Sequence, residues 1–314
     1  MKEKLIKHFK YNWQIYVLFI PALVWMTMFV FVPFVRNVIM SFQDYIPQPE
    51  GQNRPNMGLF GSEFVGFQNY IEFFTMGDFW KLLGNTFALN LVSLALGFPA
   101  AIILAIMIYE SKSGLVKGFA QTATFLPFFI SSVVVCNLVI EFLKTDTGML
   151  VTVFEWFGME RKNLLEDPSY FRIIYAIMEL WQTVGYNSLV YIAALSAIDT
   201  SLYEAASIDG AGKFKQIWHV TLPGIAPTII ITLILRVGKM LSLGYEKVLI
   251  LQQVDGNMAT SEILSTYVYN NTLGSSSPNY GMSAAIGIFD AVVAIVLVTL
   301  VNKFAKKISD TALW

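Results

Sequence analysis

The sequence predicts an all-α, polytopic membrane protein with six transmembrane helices. Three observations predict it. Hydrophobic residues make up 55% of the 314 residues and charged residues only 14%, where soluble proteins hold about 45–50% and about 25%. The mean hydropathy is +0.58, and an aromatic fraction of 15% adds apolar bulk rather than polar surface. The apolar residues also fall into six runs of the length a helix needs to cross a bilayer, about 20 residues. The formal net charge of −1 leaves no basic excess for nucleic acid. The single cysteine, Cys136, excludes an internal disulfide, and the widely separated His8 and His219 argue against a zinc cluster.

The first span, 11–35, is uncharged and follows Lys2, Lys4, Lys7 and Lys10. Its basic start is that of a signal peptide, but the apolar run is too long and no small-residue cleavage site follows, so a retained helix is expected. Spans two (83–109) and three (118–140) carry no charge. Span four (173–198) contains Glu179, span five (224–245) contains Arg236 and Lys239, and span six (281–302) contains Asp290. The connection 36–82 ends in an aromatic stretch, Phe64, Phe67, Tyr70, Phe73, Phe74, Phe79 and Trp80. A folded segment at headgroup level is expected there, because aromatic rings settle at the membrane interface. Segments 141–172 and 246–280 are the other connections on that side, and 271–280 reads as a turn.

Six spans place both termini on one side. Residues 1–10, 110–117, 199–223 and 303–314 together hold eleven Lys and Arg against six acids. The opposite segments hold eight Lys and Arg against fourteen acids. Basic residues gather in short cytoplasmic loops, so both termini are expected in the cytoplasm, with the chain multi-pass in a bacterial inner (cytoplasmic) membrane.

The loop 199–223 is rich in local signals. Ser201 and Glu204 have capping-box spacing, so a short helix is expected to start at Ser201. Asp209-Gly210 stops it, since Gly accepts the left-handed conformation of a sharp turn. A second short helix is expected over 211–220, and Pro223 and Pro227 open span five. Glu204-Ala205-Ala206, Asp209-Gly210-Ala211, Ile217 and Leu222-Pro223 resemble, in order and spacing, the EAA loop of ABC importer permeases. With six spans and the loop between the fourth and fifth, the chain resembles the carbohydrate-uptake subgroup, relatives of maltose and oligosaccharide permeases. The ending KKISDTALW and the segment SLGYEKVLIL resemble permeases for complex saccharides.

That resemblance implies a type I ABC importer permease fold and a set of partners: a second homologous permease, two ATPase subunits, an extracytoplasmic solute-binding protein and a carbohydrate substrate. It implies that Glu204, Ala205, Ala206, Asp209, Gly210, Ala211, Ile217 and Pro223 couple the spans to the ATPases. Glu204 either caps its own helix or pairs with an ATPase arginine. ATP and Mg would sit on the partner ATPase, with no cofactor on this chain. Gly210-Ala-Gly-Lys213 fails the phosphate-loop spacing, with Phe214 where Ser or Thr belongs. No HExxH or GxSxG occurs, so those hydrolase signatures are missing as well.

Charges inside spans cost about 2.5–3.5 kcal/mol each on insertion scales, so each should face a partner or a polar cavity. Glu179, Arg236, Lys239 and Asp290 therefore either lock the helices by opposite charge or line a path for a hydroxyl-rich solute. Glu179 belongs to a dense set with Trp181, Gln182, Tyr186, Asn187 and Tyr191, which offers stacking rings with amide and carboxylate groups. Tyr186 and Asn187 follow Glu179 by about two turns and share its face. Asn90, Asn137, Tyr245 and Glu246 are further polar candidates. The competing readings are the same machine with a non-sugar cargo, an ion-driven transporter, and a membrane-embedded glycan-processing enzyme.

Overall fold

The structure, a computed structural model, describes residues 2–45, 62–158, 160–241, 244–252, 256–276 and 278–308. Helix α1 (Lys2–Met26) passes through a π turn (Thr27–Phe31) into α2 (Val32–Met40). Strands β1 (Gln43–Asp44) and β2 (Glu63–Phe64) pair antiparallel, Gln43 opposite Phe64. Then come α3 (Gln68–Thr75), α4 (Phe79–Glu110) and α5 (Gly114–Phe125), which tightens into a 3₁₀ turn (Leu126–Phe129). They are followed by α6 (Ser132–Leu143), α7 (Met149–Trp156), α8 (Pro168–Ser196) and α9 (Thr200–Ile208). Next, α10 (Lys213–Gln216) runs through a π turn (Ile217–Thr221) into α11 (Leu222–Val237). The last elements are α12 (Tyr245–Leu251), α13 (Met258–Ser261), α14 (Leu264–Asn271) and α15 (Tyr280–Ile308).

Four helices are long and apolar enough to cross a membrane: Tyr11–Met40, Phe79–Glu110, Lys213–Val237 and Tyr280–Lys307. Two bent pairs, Gly114–Phe129 with Ser132–Leu143 and Pro168–Ser196 with Thr200–Ile208, raise the number to six if each pair is one crossing. The first of the four has none of its apolar window buried within this chain. Lipid, or another chain, must cover a surface of that kind.

Three boundaries differ from the sequence expectation. The third span, 118–140, is two helices bent by 95°, because Ile130 and Ser131 are both extended. Pro127 in the preceding turn has no N–H to continue the ladder. The fifth span does not reach 245: α11 ends at Val237, and Tyr245 begins the separate helix α12. The expected second short helix of the loop has no end of its own either. It starts at Lys213 and runs unbroken to Val237, the π turn before Pro223 absorbing the bond that proline cannot make.

The chain divides into two compact units. One comprises Met1–Met76 and Asn270–Phe289. Within it Asn69 Nδ2 donates to the carbonyls of Ser41 and Gln43, both at 3.0 Å, and holds β1 against α3. The Phe42 ring gathers Phe64, Phe67 and Tyr70, and Phe73 and Phe74 meet Phe289. The aromatic stretch is thus folded over 62–76; the glycine- and proline-rich residues 46–61 lie outside the described residues. The other unit comprises Gly77–Tyr269 and Asp290–Trp314. In it α4 lies along α8, with Ala101, Ala105, Tyr191, Leu195 and Ile225 forming one core cluster. A second cluster joins Leu89, Cys136, Phe171, Tyr175, Met178, Val248, Leu251 and Ile263. Cys136 is a buried packing residue.

Candidate functional site

Two places in the second unit carry the candidate residues: the 199–223 loop and a cavity between α4, α8 and α11.

In the loop, α9 leaves α8 at 71°. Its cap is Asp199, not Ser201: the Asp199 carboxylate accepts the Ser201 backbone N–H at 2.9 Å. This corrects the capping-box expectation. Asp199 is the stronger competitor because a charged acceptor at the helix N-terminus also meets the positive end of the helix dipole. The same hydrogen bond from the Ser201 backbone holds the Asp199 carboxyl below its ordinary range. The carboxylate of Glu204 makes no hydrogen bond among the described residues. It lines a cleft of about 760 Å³ with Tyr109, Glu110, Lys117, Tyr203 and Lys213.

The loop's turn is built from its small residues. Gly210 has φ +74°. The Gly210 N–H reaches the Ser207 carbonyl at 3.1 Å and the Ala211 N–H reaches the Ala206 carbonyl at 2.9 Å. These are the paired bonds of a Schellman motif, which places a left-handed glycine just past the helix end. Ala205, Asp209 and Gly210 are exposed, Ala206, Ala211 and Ile217 partly covered, and Pro223 lies exposed in the first turn of α11.

Three residues the sequence reading missed brace this loop. Buried Gln216 donates to Ser207 Oγ at 2.9 Å and to the Ala211 carbonyl at 3.1 Å. Tyr203 bonds Thr221 at 3.1 Å. Gln216 carries a signal in hindsight: a lone amide beside the apolar Ile217-Trp218. The loop is further tied to the end of α4 by Lys213 Nζ on Glu110, 2.6 Å. Around these braces Ile208 and Phe214 are 86% and 80% exposed, an apolar surface with no cover among the described residues.

The second place is a cavity of about 360 Å³ walled by Gly97, Phe98 and Ala101 of α4, Tyr186, Asn187 and Tyr191 of α8, and Thr232 and Arg236 of α11. Phe98 stands edge-on to Tyr191, ring centres 6.2 Å apart. One face of Tyr186 is covered by Phe128, parallel at 4.0 Å. Phe98 and Thr232 were not singled out from the sequence; Thr232 precedes Arg236 by four residues and so shares its helix face.

The dense set on α8 is split between two levels. Seven residues of helix rise about 10 Å, so Tyr186 and Asn187 face the cavity while Glu179 meets a different neighbour, Lys247 of α12. Gln182 is buried and donates to the Ile130 carbonyl at 2.8 Å, and Trp181 is half-exposed. Tyr245 stacks on Tyr269 at 4.9 Å, and Glu246 is exposed in the first turn of α12. Asn90 and Asn137 each bond the carbonyl one turn back. Among the described residues no ion pair joins Arg236, Lys239 or Asp290. One carboxylate oxygen of Asp290 is buried without a hydrogen-bond partner.

Comparison with known proteins agrees with the fold. The chain is 37% identical over 313 residues to the polygalacturonan/rhamnogalacturonan transport system permease protein YteP of Bacillus subtilis (strain 168), covering 100% of this chain and 94% of the relative. It is 27% identical over 288 residues to the lactose transport system permease protein LacF of Rhizobium radiobacter, covering 91% of each. Among solved structures, a chain of a bacterial alginate ABC transporter, in complex with an alginate pentasaccharide-bound periplasmic protein, superposes with a TM-score of 0.86 at 34% identity. The superposition covers 99% of this chain and 100% of that one. The model of the binding-protein-dependent transport system inner membrane component matches residues 97–310, a stretch that contains the braced loop and the whole cavity wall. The chain belongs to that family of membrane transport permeases.

Proposed function

We propose that this chain is one transmembrane subunit of an ATP-driven carbohydrate importer, working by alternating access on oligo- or polysaccharide. The observation that carries this reading is mechanical. The exposed helix α9 continues α8, and its braced partner continues without a break into α11. Those two helices carry the cavity-lining residues Tyr186, Asn187, Thr232 and Arg236. A subunit that grips the loop therefore moves two walls of the cavity.

In this reading the loop faces the cytoplasm with both termini. Glu204 and the apolar Ile208 and Phe214 dock on an ATPase, one of two, which hold ATP and Mg. A solute-binding protein delivers the saccharide from the other side, and a second permease completes the path; the relatives' polygalacturonan, lactose and alginate systems support the choice of cargo. The test is co-purification of the tagged chain in mild detergent with mass spectrometry, followed by transport in proteoliposomes. Recovery of an ATPase and a second permease, with ATP-dependent saccharide uptake abolished by Glu204→Lys, is the expected result. Recovery of the chain alone, with uptake unaffected by ATP depletion, would point to an ion-driven carrier instead.

A further inference from the structure

Arg236 presents an unusual state in the cavity wall. A charge among apolar helices is retained where a counter-charge or a polar cavity meets it. Arg236 makes no hydrogen bond and no ion pair among the described residues. Of the carboxylates in the other spans, Glu179 is held by Lys247, and Asp290 keeps one buried carboxylate oxygen without a hydrogen-bond partner. Among the described residues no carboxylate lines the cavity: its other polar side chains are Tyr186, Asn187, Tyr191 and Thr232.

Two of those four are already engaged. Thr232 Oγ1 donates its one proton to the Thr228 carbonyl at 2.7 Å, so in its contact with Tyr191, at 2.9 Å, the tyrosine is the donor. What remains to meet a solute is the Arg236 fork, the Asn187 amide, the Tyr186 hydroxyl, and the rings of Phe98 and Tyr186. Arginine's planar fork matches a carboxylate with two parallel hydrogen bonds, whereas a sugar hydroxyl offers it only a neutral acceptor. The volume of about 360 Å³ is within the usual range for small-ligand sites, about 300–1,000 Å³.

We infer that this cavity selects uronic-acid units, Arg236 binding the sugar carboxylate while Phe98 and Tyr186 face the ring. This rests on the carbohydrate-importer reading and narrows its cargo to acidic saccharide. Among the described residues nothing balances the Arg236 charge, and the passing sugar neutralises it. A neutral sugar of the same shape leaves the guanidinium without its partner.

The test uses the complete transporter in proteoliposomes, this chain with its co-purifying permease, ATPases and binding protein. Probes are the trisaccharides of galacturonate and of mannuronate, their methyl esters, and maltotriose. The same binding protein delivers acid and ester, so a change in the acid-to-ester uptake ratio between wild type and Arg236→Gln reports on the cavity. The expected result is a ratio at least tenfold lower in Arg236→Gln, with Arg236→Lys between the two and all three complexes assembling alike. An unchanged ratio overturns the inference, whether uptake of both probes falls equally, as for a residue that locks helices, or not at all. Wild-type uptake of esters or maltotriose without the acids also overturns it and leaves the carbohydrate reading standing. Wild-type uptake of no saccharide overturns both.

Discussion

The ammonium of Lys247 is paired with the carboxylate of Glu179, fastening α12 to α8 across 68 residues of sequence. Both side chains are largely covered, at 17% and 27% exposure. The pair sits beside the cluster of Cys136, Met178 and Val248 and braces α8, which supplies part of the cavity wall.

Removing one partner strands the other in partly apolar surroundings. Glu179→Gln or Lys247→Met is expected to lower stability by about 1–3 kcal/mol, less than for a fully buried pair. Glu179→Gln/Lys247→Met together should recover part of that loss. A double-mutant cycle by thermal unfolding of the purified complex measures the coupling; additive losses would mean the pair contributes nothing.

Gly185 is where α8 meets the broken third span. A Cβ there would run into the Thr124 carbonyl, which belongs to the backbone and cannot swing aside. Gly185→Ala is expected to cost about 1–3 kcal/mol or to prevent folding. Gly118→Ala, on the same broken span but with nothing within 4 Å, should be neutral or stabilising by up to about 1 kcal/mol. Expression level and melting temperature separate the two.

The loop's glycine has a stricter requirement than its neighbours. At φ +74°, Gly210→Val costs about 1–2 kcal/mol of backbone strain, while Gly210→Asn is tolerated better because Asn visits this region. Coupling efficiency, solute transported per ATP hydrolysed, should fall in the order Gly, Asn, Val. Equal coupling in all three would remove the turn from the mechanism.

The Asp199 cap makes the start of α9 sensitive to acid. The folded carboxyl is held below its unfolded value by the Ser201 N–H. Its contribution is therefore complete above the ordinary carboxylate range and lost as pH falls through the lowered folded value. The protection factor of the Ser201 amide, its exchange taken relative to the intrinsic rate at each pH, should fall on acidification in wild type. Asp199→Asn should retain protection without that pH dependence, Asp199→Ala should lose it at every pH, and Ser201→Ala should keep it at neutral pH but lose it at a higher pH than wild type, because the Ser201 side chain also lowers the Asp199 carboxyl. Loss of protection in Ser201→Ala at neutral pH would restore the capping box.

Hydropathy alone located the apolar runs, since it sums a transfer free energy residue by residue, and that sum is a property of composition. The turn of the loop was equally legible: Gly210 and its neighbours bond to residues close in sequence, so their order and spacing carry the local geometry. Even there, the expected cap, Ser201, lay two residues beyond the one the structure shows, since the Ser201 N–H is held by Asp199.

Direction was not legible. The break at Ile130 keeps the chain apolar on both sides, so no hydropathy window registers a 95° turn. The turn persists because Gln182 takes up the Ile130 carbonyl, a bond across 52 residues that satisfies backbone which lipid could not. Likewise Glu179 and Arg236 read alike from sequence, two charges in spans. Packing alone decided that one is neutralised by Lys247 and the other has no ion pair among the described residues, because the counter-charge of a partly covered group is set by which helices meet.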